Sequence, residues 1–272
     1  MKFLDRVFAL LLNACILIVT LAVPAFAMMS SKQYYYDQFE KNGIYQQVNE
    51  AGNAEYTVID YVGGETGNRA IFSDEQLNVI IDHIVEYLFS DQESFALVMD
   101  NVKLNGEVTD GVSVFGDTAV KHMADVRELL RLCIAITAVA GVALVLFAVY
   151  FSVRRRRGQG GILLKYTLIF YGIFLLAVLT VCLWTLIDVL REGFEMSEYT
   201  GVLWRNLHHF MFPDPEKFAN AFLNDTLTEI LTLDLFMTAV YIILAVVFSA
   251  LLVWLALGAY LDKTVKKSRK MP

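Results

Sequence analysis

Neither of the two acidic stretches of this sequence contains a cysteine: Cys15, Cys133 and Cys182, the only three, all fall inside apolar runs. A disulfide framework is therefore excluded for the polar parts of the chain, and no spacing suggests a zinc site. The chain also lacks a GxSxG nucleophile elbow, an HExxH zinc helix and a P-loop, so the usual signatures of serine esterases, metalloproteases and nucleotide-binding enzymes are missing. Nothing suggests a nucleotide, flavin or haem cofactor. There are no internal repeats and no Gly/Ser- or Pro-rich linker.

Charge is scarce as well. Only 19% of the residues are charged against 57% hydrophobic, with a mean hydropathy of +0.51 over 272 residues. A soluble domain of this size lacks the interior volume to hide so much apolar surface. The net charge of −7 argues against general nucleic-acid binding.

What is present are four apolar runs, 7–28, 132–153, 162–186 and 235–260, whose interiors hold no Asp, Glu or His. A bilayer core about 30 Å thick takes roughly 20 helical residues. A lipid-exposed segment must also satisfy its own backbone polar groups, so each run is predicted to be a transmembrane helix. Lys165, one turn inside the third run, can reach the interface with its stem. The fold class expected is mainly α, with four transmembrane helices, a small extracytoplasmic domain at 29–128 and an extracytoplasmic loop at 187–234.

Basic residues give the orientation. Lys2 and Arg6 precede the first run, Arg154 to Arg157 lie in the short connection 154–161, and Lys263, Lys266, Lys267, Arg269 and Lys270 lie in the tail 261–272. The positive-inside rule puts all three clusters, and both termini, in the cytoplasm. The four arginines in a row are accounted for by topology and need no nucleic-acid partner. Residues 29–128 carry 18 acids against 6 bases and residues 188–234 carry 9 against 3, and all four histidines fall in these segments. Ala25-Phe26-Ala27 resembles a signal-peptidase site, but the run before it is longer than a typical signal core, so the first helix is expected to stay as an anchor.

Within the first polar segment, Tyr34-Tyr35-Tyr36 reads as an interfacial belt. Residues 73–89 read as a helix, with Ser73 and Gln76 forming a capping box and Leu77, Ile80, Ile81, Ile84 and Leu88 at helical spacing. His83 falls off that stripe and reads as a solvated histidine. The stretch from Gly116 to Glu128 leads into the second run and reads as the outer end of its helix. His122 and Asp125 are then at i and i+3 on one face. A carboxylate beside an imidazole raises its basicity, which suits a general base and equally a surface ion pair. In the second segment two histidines lie among apolar and aromatic residues, Trp204-Arg205-Asn206-Leu207-His208-His209-Phe210-Met211-Phe212-Pro213. This pattern fits an amphipathic loop in the interface, or a second histidine facing the first. Asp214-Pro215 is expected to turn the chain, and 224–228 to offer a cap before the fourth run.

His122-Met123-x-Asp125-Val126 before the second span, followed by Leu207-His208-x-x-Met211-Phe212 in the next polar loop, resembles a family of bacterial integral membrane proteins that includes the lipoprotein intramolecular transacylase. The resemblance extends over the whole chain in span order and loop length. The second motif departs at Leu207 and Met211, where the family pattern resembles Phe-His-x-x-Phe-Phe; His208 matches by register and His209 is at a variable position. The resemblance implies an acyltransferase of the bacterial cytoplasmic membrane, acting at its outer face on a diacylglyceryl-modified lipoprotein amid membrane lipid. It would move one ester-linked acyl chain to the α-amino group of the N-terminal cysteine, giving the lyso form. His122, Asp125 and His208 would be catalytic, without cofactor or metal. The alternative from the residues alone is a non-enzymatic membrane module with a partner-binding or sensing outer domain. A transporter is the weaker reading, because the spans carry no buried charge to mark a path. The sequence leaves the oligomeric state open.

Overall fold

The computed structural model describes residues 2–45, 47–48, 54–55, 58–154, 159–193, 195, 198–212, 214, 216 and 224–268. Arg155, Arg156, Arg157, Arg269 and Lys270 of the basic clusters, and the Pro213 and Pro215 turn positions, lie outside the described residues. The described chain is mainly helical and divides into two compact units, one comprising residues 1–26, 132–199 and 240–272, the other residues 27–131 and 200–239.

The first unit contains the apolar lengths of four helices: α1 (Lys2–Met29), α4 (Asp117–Arg154), α5 (Gln159–Glu192) and α8 (Leu233–Ser268). Each is long and apolar enough to cross a membrane, over Phe3–Met29, Asp117–Val153, Ile162–Glu192 and Leu233–Ala256. These helices run past the sequence-predicted limits because polar turns at their ends continue the backbone hydrogen bonding beyond the apolar stretch. Ala9, Leu12 and Phe151 form the centre of their packing, with Phe8, Phe147 and Trp254 against it. A polar chain crosses this interior. Asn13, fully buried, donates from Nδ2 to the Ala9 carbonyl at 2.8 Å. Its Oδ1 lies 2.8 Å from the Thr167 hydroxyl, which accepts from Trp254 Nε1 at 2.8 Å. In lipid, where apolar surface gives helices little reason to associate, such hydrogen bonds help select partners.

The second unit has a conventional core. Helix α3 (Asp74–Phe89) starts at the predicted capping box: Ser73 Oγ accepts from the Gln76 N–H at 3.2 Å and Gln76 Oε1 accepts from the Ser73 N–H at 2.9 Å. Its buried face carries Leu77, Ile80, Ile81, Ile84, Val85, Tyr87 and Leu88. The unit also holds short strands: β3 (Val58–Ile59), β4 (Ala70–Ile71), β6 (Val102–Leu104) and β7 (Glu107–Thr109) form an antiparallel sheet in that order. Two further pairs join β1 (Gln47–Val48) to β2 (Ala54–Glu55) and β5 (Val98–Met99) to β8 (Val112–Ser113). The β6–β7 hairpin turns on Asn105 and Gly106, both at positive φ (52° and 92°), as a type I′ turn requires. Helix α2 (Lys32–Lys41) contributes the fully buried Phe39, and its Lys32 bridges to Asp82 and Glu86 of α3 at 3.0 and 3.1 Å. Tyr35 is buried as a core residue, not an interfacial belt, while the Tyr34 hydroxyl donates to the Leu235 carbonyl at 2.9 Å.

His83 departs from its reading as a solvated side chain. It is half-buried, with Nε2 2.9 Å from the Phe95 carbonyl and its ring beside Phe95 and Phe115. It fails to show in the apolar stripe because its partners come from a loop, not from its own helix. The start of α4 is anchored by Arg127, whose guanidinium lies 4.1 Å above the Tyr87 ring and donates to the carbonyls of Tyr87 and Gln92. A cation over an aromatic face, with its N–H groups satisfied, fixes the rotation of the helix end that also carries His122.

Candidate active site

All three candidate residues belong to the second unit. Helix α4 begins at Asp117, directly after Gly116, and carries His122 on its second turn. Its neighbours show which face is turned inward: His122 and Met123 are buried, Lys121 and Ala124 exposed, Asp125 intermediate. Burial holds the His122 imidazole below the ordinary histidine value, and the Asp125 carboxylate, put on the same side by helical spacing, opposes that shift without cancelling it. His122 Nδ1 is buried and has no hydrogen-bond partner among the described residues. Buried polar atoms are seldom left unsatisfied, and exceptions mark places where a ligand or reacting group belongs.

The segment expected as an interfacial loop is instead helical. Helix α6 (Tyr199–Met211) carries Trp204 and His208 four residues apart, on one face. The Trp204 and His208 rings meet edge to face, with centroids 4.2 Å apart and planes at 70°. Phe236, near the start of α8, stacks on Trp204 at 4.5 Å and 22°. The helix therefore separates the two adjacent histidines. His208 is turned inward, 7% exposed, whereas His209 is exposed and Phe210 beside it is 84% exposed.

The inward-facing ring meets the one on α4. His122 and His208 have ring centroids 6.2 Å apart with planes inclined at 30°. Phe212 completes the group, 5.4 Å from His122 and 5.9 Å from His208. Its N–H donates to the His208 carbonyl at 2.8 Å, which holds the residue after α6 against the pair. Two imidazoles from distant parts of the chain thus lie side by side, with Phe212 against both and Trp204 against His208.

This setting changes what the rings can do. Burial, and then the neighbouring His122, push the His208 imidazole down to about 4, against the opposing effect of a hydrogen bond to the Trp204 backbone. The charged form of a buried imidazole is disfavoured because water no longer solvates it. At neutral pH His208 is therefore neutral and has one N–H to donate and one nitrogen to accept. A neutral imidazole pair with an apolar wall can move a proton and hold a developing oxyanion. Among the described residues no three His, Cys, Asp or Glu side chains cluster as a metal site would.

In the sequence Trp204 and Phe212 stand out only as aromatic neighbours of His208, and Phe236 does not stand out at all. Trp204 was within reach of a spacing argument, being four residues before His208. Phe236 was not, because it stands at the head of the fourth apolar run, where an aromatic residue carries no distinguishing signal.

The lipoprotein intramolecular transacylase Lit family model matches residues 10–190, a stretch that includes His122 and Asp125 and ends before His208. None of the curated proteins matches the chain in sequence. Solved structures of the membrane integral lipoprotein intramolecular transacylase Lit from Bacillus cereus share the fold. A histidine-to-arginine variant of that protein aligns over 98% of this chain and 96% of its own at 16% identity, with a TM-score of 0.59. A histidine-to-alanine variant aligns over 99% and 97% at 17% identity and a TM-score of 0.57. A further structure of the same protein covers both chains completely at 16% identity and a TM-score of 0.55. Four helices of membrane-crossing length, the near-complete overlap with a membrane-integral fold and the match over two thirds of the sequence agree: this chain is a membrane protein and belongs to the lipoprotein intramolecular transacylase Lit family.

Proposed function

We propose that the chain is a membrane acyltransferase that moves an ester-linked acyl chain from the S-diacylglyceryl group of a lipoprotein to the α-amino group of its N-terminal cysteine. By the positive-inside rule the termini and the 154–161 connection face the cytoplasm. The unit that holds the histidines then faces outward, on the side where lipid-modified cysteines are presented. The observation that carries the reading is the buried His122–His208 pair, 6.2 Å between ring centroids, in a chain of this family.

The reaction asks for little more than such a pair. The amine nitrogen attacks the ester carbonyl carbon, a C–N bond forms, and the tetrahedral oxyanion collapses with cleavage of the C–O bond to the glyceryl sn-2 oxygen. The amine loses one proton and the departing alkoxide gains one, so the products are an amide and a lyso-glyceryl hydroxyl, with no water consumed. An α-amino group has a pKa of about 8, so a modest base is enough to take its proton. His122 has the Asp125 charge at hand to stabilise the imidazolium that forms and then returns that proton to the leaving oxygen. His208, neutral, has a single N–H, and in the tautomer that turns it away from the Trp204 backbone it donates to the oxyanion. Donor and acceptor are on one molecule, so holding them in register lowers the barrier without a covalent acyl-enzyme.

A sensing module would be better served by exposed histidines that titrate near neutrality; burial of His208 supports the enzyme over that alternative. The test is to express the chain in bacteria that lack N-acylation of lipoproteins and locate the acyl chains of an N-terminal lipopeptide by fragmentation mass spectrometry. The expected product has the same mass as the diacylglyceryl form but its amine blocked as an amide; a free amine would refute the assignment.

A further inference from the structure

Asp225 is a carboxylate only 4% exposed, in a stretch where the sequence offers a helix cap. It does cap: Oδ1 accepts from the Leu227 N–H at 3.0 Å, opening the short helix α7 (Thr226–Ile230). Its other oxygen does something a cap does not need. Oδ2 accepts from the N–H of Gly116 at 2.8 Å, across 109 residues. Gly116 is the residue before α4, so this bond fixes the point from which the His122 helix departs.

The junction is tight on every side. A Cβ on Gly116 would come within 2.6 Å of the Gly63 carbonyl oxygen and 3.0 Å of Asp225 Oδ2, and one on Gly64, which is at φ +75°, within 3.3 Å of the same oxygen. Glycine at 116 is therefore a condition of the contact. Glu229, one turn into α7, accepts from the Asp60 N–H at 2.8 Å and ties the short helix to the end of β3. α7 ends at Ile230, fully buried, and the chain then reaches Phe236, the ring stacked on Trp204, which meets His208 edge to face. The supports of both histidines thus lead back to one side chain: through Gly116 and the first turns of α4 to His122, and through α7, Phe236 and Trp204 to His208.

We infer that Asp225 is a positioning residue for the acyl transfer, its two oxygens locking the departure of the His122 helix to the segment that backs His208. The inference rests on the proposed function for its catalytic consequence but on the junction alone for its structural one. Misplacing a catalytic group by about 1 Å can cost on the order of a hundredfold in rate without loss of binding.

Asp225→Asn is the selective probe. Asparagine is as good a cap as aspartate, so Oδ1 can still take the Leu227 N–H, while an amide turned toward Gly116 replaces one acceptor by a donor. In the purified full-length protein, with a synthetic S-diacylglyceryl lipopeptide in detergent micelles, we expect kcat to fall roughly ten- to a hundredfold with KM unchanged. Gly116→Ala strains the same junction from the other side and should do the same, and the double variant should be no slower than the worse single one. Should Asp225→Asn fail to fold, Gly116→Ala carries the test alone. A second readout does not depend on the reaction: in histidine-labelled protein the low-titrating imidazole of the wild type should move upward in both variants as the pair loosens. Folded variants with wild-type kcat and an unmoved histidine titration overturn the inference, as does a loss confined to KM. If the wild type does not acylate the lipopeptide, the proposed function fails, and the titration alone decides the role of Asp225.

Discussion

The two units of this chain solve opposite problems with similar residues. In the first, large apolar side chains point away from the protein: Val139 is 70% exposed, Leu176 64% and Leu252 67%. In the second, residues of the same kind are sealed in, with Phe39, Phe95, Ile80 and Ile81 all at 0%. The hydrophobic effect folds only the second, because exposure to lipid is no penalty. Cohesion among the spans comes instead from close packing around Ala9 and Phe151 and from the Asn13–Thr167–Trp254 hydrogen bonds. Polar groups therefore help assemble the unit of long apolar helices, and apolar groups assemble the other.

The widest contrast is predicted for matched truncations. Phe95→Ala removes a ring stacked on Phe115 at 4.4 Å and packed beside Tyr87 at 5.1 Å. It should destabilise the second unit by about 3–5 kcal/mol. Leu176→Ala, on an exposed face of α5, should change stability by less than about 0.5 kcal/mol. Thermal unfolding in detergent micelles checks both, and equal costs would erase the distinction between the units. A smaller effect is expected in the polar chain of the first unit, where Asn13→Ala should cost about 1 kcal/mol. The further substitution Thr167→Ala should cost a comparable amount again, since it also leaves Trp254 Nε1 without its acceptor.

A last expected effect is that of pH, read as a slope. With His208 at about 4 in the folded protein, and an ordinary histidine value of about 6.5 when unfolded, the unfolded chain takes up this proton first on acidification. Above pH 6.5 neither state is protonated there, and the ring contributes nothing to the pH dependence. Stability should decline as pH falls from about 6.5 towards 4, and His208→Gln should flatten that part of the slope in melting curves. A decline unchanged by the substitution would mean that His208 is more solvated than its burial indicates.

How far the sequence could be read divides along the same boundary. Four apolar runs announced four helices because lipid forces a continuous signal of about 20 residues. The α3 capping box, and the face carrying Leu77, Ile80, Ile81, Ile84 and Leu88, were equally plain. The sheet was not, because strands of two or three residues are too short to show an alternating pattern. Its one local sign is Asn105-Gly106, the residue pair favoured in type I′ hairpins, which stands between β6 and β7. At the site, His122 and His208 were singled out from motifs, and helix periodicity explains why His208 and not His209 turns inward. The junction at Asp225 could not be read, since nothing local relates it to Gly116, 109 residues away.

The central claim is that His122 and His208 act as one unit in acyl transfer. Its most direct test is the rate of amide formation on a synthetic S-diacylglyceryl lipopeptide by purified wild-type protein, His122→Ala, His208→Ala and the double variant. Each single substitution should cost about a thousandfold or more, with the double variant little worse than either, because removing one member already disables the pair. Single variants that retain most of the wild-type rate, or losses that simply multiply in the double, would contradict it.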